Sequence, residues 1–184
     1  MKLSILICGL EGREESRREL LSTLASQYIG DEVEILQYVD DGKIKIGDKR
    51  NELMSLAKGD YVCFIDDDDI VSKDYILKVL TAIEKNPDCC SLMGILTWNG
   101  DYPQVFEHSI KYREYKTIED ADIMYERYPN HLNTIRSSIA KQFKFPSISH
   151  GEDTDWATQI HKSGLLKTEV EIPGVIYHYQ YKRK

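Results

Sequence analysis

The sequence predicts an α/β fold with a mostly parallel central sheet flanked by helices. Three observations predict it. Apolar strand-like runs alternate with helical stretches three times in the first half, the pattern of parallel strands joined by right-handed crossovers. The first and third runs, "LSILIC" and "YVCFI", are continuous apolar runs but for Ser4, as strands covered on both faces are. Acidic clusters, Asp40-Asp41 and Asp66–Asp69, follow the second and third runs, where open parallel sheets place their ligands.

The elements follow in order. Leu3–Cys8 is the first strand. Glu15 to Ile29 carries Leu20, Leu21, Leu24 and Tyr28 at helical spacing, with Gly30 as a stop. "EVEILQYV" is the second strand, and "DDGKIKIGD" is a turn-rich connection. Lys49 to Lys58 is a helix terminated by Gly59. "YVCFI" is the third strand. Ser72 is suited to cap the next helix, with Asp74 in its first turn and Ile76, Val79, Leu80 and Ile83 on its inner stripe; "NPD" ends it. "CSLMGILTW" reads as one fourth strand, "NGDYP" as a turn, and "QVFEHSIKY" as a fifth strand. Residues 113–130 read as a loop or short helix. "HLNTIR" is a strand followed by a short helix through Phe143. Glu152 to Ser163 is a helix ending at Gly164, and "LKTEVEI" and "VIYHYQY" are two strands about Pro173-Gly174.

The 184 residues suit one domain with a single core, residues 1–184, and the 41% hydrophobic and 30% charged balance is that of a globular chain. No apolar stretch of about 18 residues exists, so stable membrane insertion is not expected. "MKLSILICGLEGREE" lacks the length and cleavage site of a signal peptide, which makes a cytoplasmic location the expectation. The net charge of −7 disfavours duplex nucleic acid as a tight partner, and the basic end "YKRK" is too short to reverse that. Cys8, Cys63, Cys89 and Cys90 form no C-x-x-C pair and read as buried thiols of a reducing compartment.

The run "YVCFIDDDDI" concentrates four negative charges with no cation beside them. If the strand continues, Asp66 and Asp68 share one side and Asp67 and Asp69 the other. Two carboxylates on one side make a hard oxygen site for Mn2+ or Mg2+, and such an ion carries phosphate oxygens that an acidic protein could not otherwise approach. The plainer account is an acidic cluster favourable near a helix start, which fits Asp69 as well. The spacing does not follow an EF-hand loop. In "HGEDTDWATQIHKSG", Glu152, Asp153 and Asp155 crowd a helix start while Trp156 and Ile160 face inward. They either satisfy the helix dipole or present a carboxylate base. His178, in "YHYQY", is structural or completes a metal shell.

Together these segments resemble family 2 glycosyltransferases of the GT-A fold. The match runs in the usual order through "SILICGLEGREE", "VDDG", "GDKRNELMSLAKGDYVCFIDDDD", "HLNTIR", "FPSISHGEDTDW" and "YHY", over nearly the whole chain, and looks like the short members found in phages and bacteria. The resemblance implies inverting transfer from a nucleoside-diphosphate sugar, with a UDP-sugar as the expected donor, assisted by Mn2+ or Mg2+. By position it assigns Asp41 to the nucleobase, Asp66 to the ribose and Asp68 to the metal, with Asp67 or Asp69 able to share these tasks. Arg50 approaches the nucleotide, Asp153 matches the base, and His178 is a further metal or diphosphate ligand.

Two departures stand out. "CGLEGR" replaces the usual polar residues after the first strand, so Cys8, Gly9 and Leu10 would contact the donor through backbone, with Arg13 as a phosphate partner. The connection after "VDDG" is short, which narrows base selectivity. The resemblance also implies a donor-binding half, residues 1–96, and an acceptor and catalytic-base half, residues 97–184. The chain stops soon after His178, so the acceptor pocket is expected from residues 97–136, from another subunit of a homo-oligomer, or from the acceptor itself. The acceptor is unspecified. Two rival readings are a nucleotidyltransferase, for which "GLEGREE" lacks the basic phosphate loop, and a non-catalytic nucleotide- or sugar-binding module.

Overall fold

The computed structural model describes residues 1–27 and 30–181. The expected helical positions Tyr28 and Ile29, and the basic residues 182–184, lie outside the described residues. In chain order the elements are β1 (Leu3–Leu10), α1 (Glu14–Ala25), β2 (Val33–Asp40), α2 (Ile46–Leu56), β3 (Tyr61–Phe64), β4 (Ile70–Val71), α3 (Tyr75–Ile83) and β5 (Cys89–Cys90). There follow β6 (Leu92–Trp98), β7 (Asp101–His108), β8 (Lys116–Thr117), β9 (Tyr125–Arg127), β10 (Ile135–Arg136), α4 (Ser137–Ala140), α5 (Glu152–Ser163), β11 (Glu169–Val170) and β12 (Tyr177–Tyr181).

The strands form two six-stranded sheets. The first has the order β11-β5-β10-β3-β1-β2, the second β4-β12-β6-β7-β9-β8. In the first sheet β1 lies parallel to both β2 and β3, with Leu3 level with Val33 and Tyr61, so their carboxyl ends share one rim as expected. The strand β10 is antiparallel to β3 and β5, which makes the sheet mixed rather than wholly parallel. Leu3, Ile5 and Ile7 pack into one apolar cluster, and Leu6 and Cys8 into another. That double coverage is why β1 carries no polar alternation.

Four expectations differ. The run "CSLMGILTW" is two strands, because the chain leaves the first sheet at Ser91, whose N–H bonds Val170 O, and enters the second at Leu92. Only Asn99 and Gly100 form the next turn, as expected of the strongest two-residue hairpin signal, and Asp101, Tyr102 and Pro103 already belong to β7. Ser72 does not cap α3 with its hydroxyl, which donates to Asp74. Instead Gln27 Oε1 accepts from the Ile76 N–H at 2.7 Å, a first-turn donor satisfied from outside the helix. Residues 113–130 contribute β8 and β9, both short and paired to each other.

The sequence halves interleave. The strands β10 and β11 complete the first sheet, and β4, from the first half, edges the second. Gly47, at the start of α2, lies so close to the segment before α5 that a Cβ there would sit 1.9 Å from Pro146 O. No helix among the described residues is long and apolar enough to cross a membrane.

Candidate active site

The four aspartates do not extend β3. The strand ends at Phe64 and Asp66–Asp69 close a turn, with the Asp69 N–H bonded to Asp66 O at 3.1 Å. The pairing expected from alternation survives as a difference in burial: Asp67 and Asp69 are buried, while Asp66 and Asp68 reach the surface of the rim.

The buried pair is consumed by structure. Asp67 accepts from the Leu10 N–H at 2.8 Å and from Arg13 Nη1 at 3.0 Å, with Arg17 Nη1 at 3.6 Å. Asp69 accepts from the Tyr177 hydroxyl at 2.7 Å and the Gln180 N–H at 2.8 Å. Burial, with the nearby Asp66 charge, nevertheless pushes its carboxyl well above the usual range. These bonds tie the turn to β1 on one side and β12 on the other.

Asp66 accepts from Arg50 Nη2 at 3.0 Å, and Arg50 Nε donates to Glu152 at 3.2 Å. Burial alone would raise the Asp66 carboxyl, but the Arg50 guanidinium, aided by His131, overrides it and holds the group below the ordinary range. Arg50 itself is 2% exposed and lies over the rings of Phe64 and Phe145, at 5.0 and 5.8 Å. It therefore works as a buried brace between the aspartate turn and the start of α5, and is shut off from solvent.

The chain enters α5 through Gly151, whose φ of 81° is one that L side chains rarely adopt. That entry sends Glu152 inward to Arg50 and leaves Asp153 with 30% of its side chain exposed. Trp156 and Ile160 are buried as expected, Trp156 stacked on Phe145 at 4.7 Å. Between Asp66 and Asp153 stands His131, 5% exposed. Its Nε2 lies 3.6 Å from Asp66 Oδ2 and its Nδ1 3.5 Å from Asp153 Oδ2. Among the described residues neither nitrogen has a hydrogen-bond partner. An unmet buried donor costs about 1–3 kcal/mol.

Among the described residues Asp68 pairs with Arg13 Nη1 at 3.0 Å. Burial and the adjacent Asp67 and Asp66 charges push its carboxyl up against Arg13's opposing influence. Asp41 is exposed at the end of β2 and pairs with Lys43. Its neighbour Asp40 is committed to Lys49 Nζ at 2.6 Å.

The carboxyl end of β1 is less open than expected. Gly9 O already accepts Lys49 Nζ at 2.9 Å, and the Leu10 N–H already serves Asp67. Burial pushes the Cys8 thiol up to about 12, which makes it inert. Arg13, 38% exposed, remains within reach of a ligand. His178 pairs with Ile70 and Ile95 in the second sheet. Alternation along β12 sets Tyr177 and Tyr179 toward the aspartates and His178 on the other face. Burial and the charges of Asp66, Asp69, Asp68 and Asp153 raise the Tyr179 phenol.

Sequence reasoning missed His131, Lys49 and the two tyrosines, and it read Glu152 as a helix-start carboxylate without its inward bond to Arg50. For His131 a signal was present, since "HLNTIR" is one of the segments that carry the family resemblance. Among the described residues no three His, Cys, Asp or Glu side chains are grouped to hold a metal. The donor set still fits a hard dication that takes one carboxylate and completes its shell with phosphate and water oxygens, because among the described residues Asp68 is paired with Arg13 and crowded by the Asp67 and Asp66 charges.

Comparison with solved structures places this architecture. S. aureus TarS 1–349 in complex with UDP-GlcNAc superposes with a TM-score of 0.75 at 18% identity, covering 100% of this chain and 60% of that one. The same protein in complex with UDP gives 0.74 at 17%, covering 98% and 61%. This chain thus spans about 60% of the length of those relatives, and the likeness establishes the GT-A fold. A search of curated proteins finds no match. The sequence profile described as glycosyl transferase family 2 matches residues 38–145, which hold Asp41, Arg50, the aspartate turn and His131. With more than half of its length inside that profile and the fold to match, the chain belongs to glycosyl transferase family 2.

Proposed function

We propose that the chain transfers a sugar from a nucleoside-diphosphate sugar to an acceptor hydroxyl, with inversion at the anomeric carbon. The observation that carries this reading is the approach of Asp66 and Asp153 to opposite edges of one imidazole. It supports a donor-side carboxylate and a base facing a common cleft. The UDP-GlcNAc and UDP complexes of S. aureus TarS favour a UDP-sugar as donor.

In this reading Asp41 meets the nucleobase, Asp66 the ribose, and Arg13 the diphosphate. Asp153 takes the proton of the acceptor hydroxyl as its oxygen bonds to the anomeric carbon. The bond from that carbon to the diphosphate breaks on the opposite face. Asp153 must reach the acceptor hydroxyl, and its place at the start of α5 holds it at the rim. Asp68 would hold Mn2+ or Mg2+, which when bound offsets the charge of the departing diphosphate. His178, on the far face of β12, is left out of that shell. Arg50 serves by fixing Asp66 and Glu152 rather than by touching the nucleotide. Residues 1–96 supply the donor contacts, and residues 97–184 supply the base and the acceptor side.

The test is a panel of nucleoside-diphosphate sugars, each with and without MnCl2, read by melting temperature and by release of the nucleoside diphosphate. We expect a UDP-sugar with Mn2+ to raise Tm and to release UDP. Asp153→Asn should keep the Tm shift and lose the release. No shift with any nucleotide would reject the donor class, and near-parental turnover in Asp153→Asn would reject the base.

A further inference from the structure

We propose that His131 is a positioning residue that orients Asp153 through its Nδ1–H. The inference deepens the reading above and rests on Asp153 being the base.

Three observations carry it. The backbone of His131 cannot drift, because its carbonyl accepts the Phe64 N–H at 2.9 Å, at the end of β3. The turn around it is locked as well. Asn130 Oδ1 accepts the Leu132 N–H at 3.0 Å, and Asn133 Oδ1 accepts the Asn130 N–H at 3.0 Å. Asn133 Nδ2 donates to Cys90 O at 2.9 Å. The ring is buried, yet among the described residues both nitrogens lack a hydrogen-bond partner. An imidazole carries at least one N–H, and buried donors are rarely left unmet. Finally, the groups nearest those nitrogens are the partly exposed carboxylates of Asp153 and Asp66, only about half an ångström beyond a good hydrogen bond. Catalytic hydrogen bonds are often long in ligand-free sites and tighten when substrate binds. A purely structural histidine would already be satisfied within the fold, as His108 is by Asn133.

The two nitrogens can be separated by substitution, since an Asn amide nitrogen stands near the place of Nδ1 and a Gln amide nitrogen near that of Nε2. The experiment uses the full chain and whichever UDP-sugar the parent turns over with MnCl2, with kcat and KM from UDP release and UDP affinity from calorimetry. His131→Asn should keep kcat within about threefold. His131→Gln and His131→Phe should lose kcat by about 30-fold or more, with donor KM and UDP affinity within about threefold. Melting temperatures identify any variant that fails to fold.

His131→Gln turning over like the parent, or His131→Asn falling as far as His131→Gln, would overturn the proposal. So would loss of UDP affinity in both amide variants, which would put His131 in the donor shell. Asp153→Asn measured alongside keeps the two readings apart. If it is inactive while both amide variants match the parent, the base assignment stands and the role of His131 falls. If it is fully active, or if the parent releases UDP from no donor, the underlying reading falls and this one with it.

Discussion

Arg50 Nη2 donates to Asp66 Oδ1 across 3.0 Å from a side chain that solvent scarcely reaches. The same guanidinium reaches Glu152, so two segments about a hundred residues apart are joined by one buried cation. Such a pair gives little net stability when intact, but removing one member strands the others.

Arg50→Met should therefore destabilise the protein by about 3–5 kcal/mol, measured by urea unfolding. Adding Glu152→Gln to that variant should recover part of the loss. Equal stability of Arg50→Met and the parent would show that Asp66 and Glu152 do not depend on the guanidinium.

Asp68→Asn should separate function from stability. Asp68 is crowded by Asp67 and Asp66, and burial already pushes its carboxyl up. Removing its charge relieves that crowding, and Arg13 keeps Asp67 as a partner. We expect Tm no lower than the parent's, while the Mn2+-dependent part of UDP binding disappears in calorimetry. Retained Mn2+ dependence would move the metal role to another carboxylate.

His108 gives a pH dependence with a definite sign. Burial, with Arg127 and His131 nearby, lowers its pKa to about 3. An unfolded histidine titrates near 6.5. Between those values the unfolded chain binds a proton that the native one refuses, so His108 makes stability rise with pH. Its contribution is fully present above about pH 6.5 and is lost as pH falls toward 3, by at most about 1.4 kcal/mol per pH unit. The unfolding free energy of His108→Gln should drop less between pH 7 and pH 5 than that of the parent.

Gly47→Ala should be costly for a small change. The new methyl would meet Pro146 O at 1.9 Å, and that contact is backbone, which cannot swing away. Overpacking of this kind costs about 1–3 kcal/mol. Because the displaced segment leads into α5, turnover should fall along with stability. An unperturbed Tm would mean that the close approach is relaxed in solution.

What the sequence made legible follows from how each signal is written. The strands β1 and β3 announce themselves by apolar runs, the helices between them by glycine stops, and α5 by acidic residues ahead of Trp156 and Ile160. The break at Ser91 does not, since Cys89 to Trp98 is equally strand-like on either side of the residue where the chain changes sheets. The strands β8 and β9 are short and largely polar, so no period develops. In the site, Asp66 and Asp68 stood out by charge. Their division from Asp67 and Asp69 was foreseen from alternation but is produced by a turn. His131 was hidden because its role depends on lying between two carboxylates remote in sequence.

The exchange of strands between the sheets has a consequence for dissection. A piece ending at residue 96 would leave β3 with a bare hydrogen-bonding edge where β10 belongs, and the remainder would lack the short β4 that lines the edge of β12. Neither piece should hold its shape when expressed separately, whereas the two co-expressed should recombine. That would make the chain a candidate for a split reporter whose signal requires both fragments to meet.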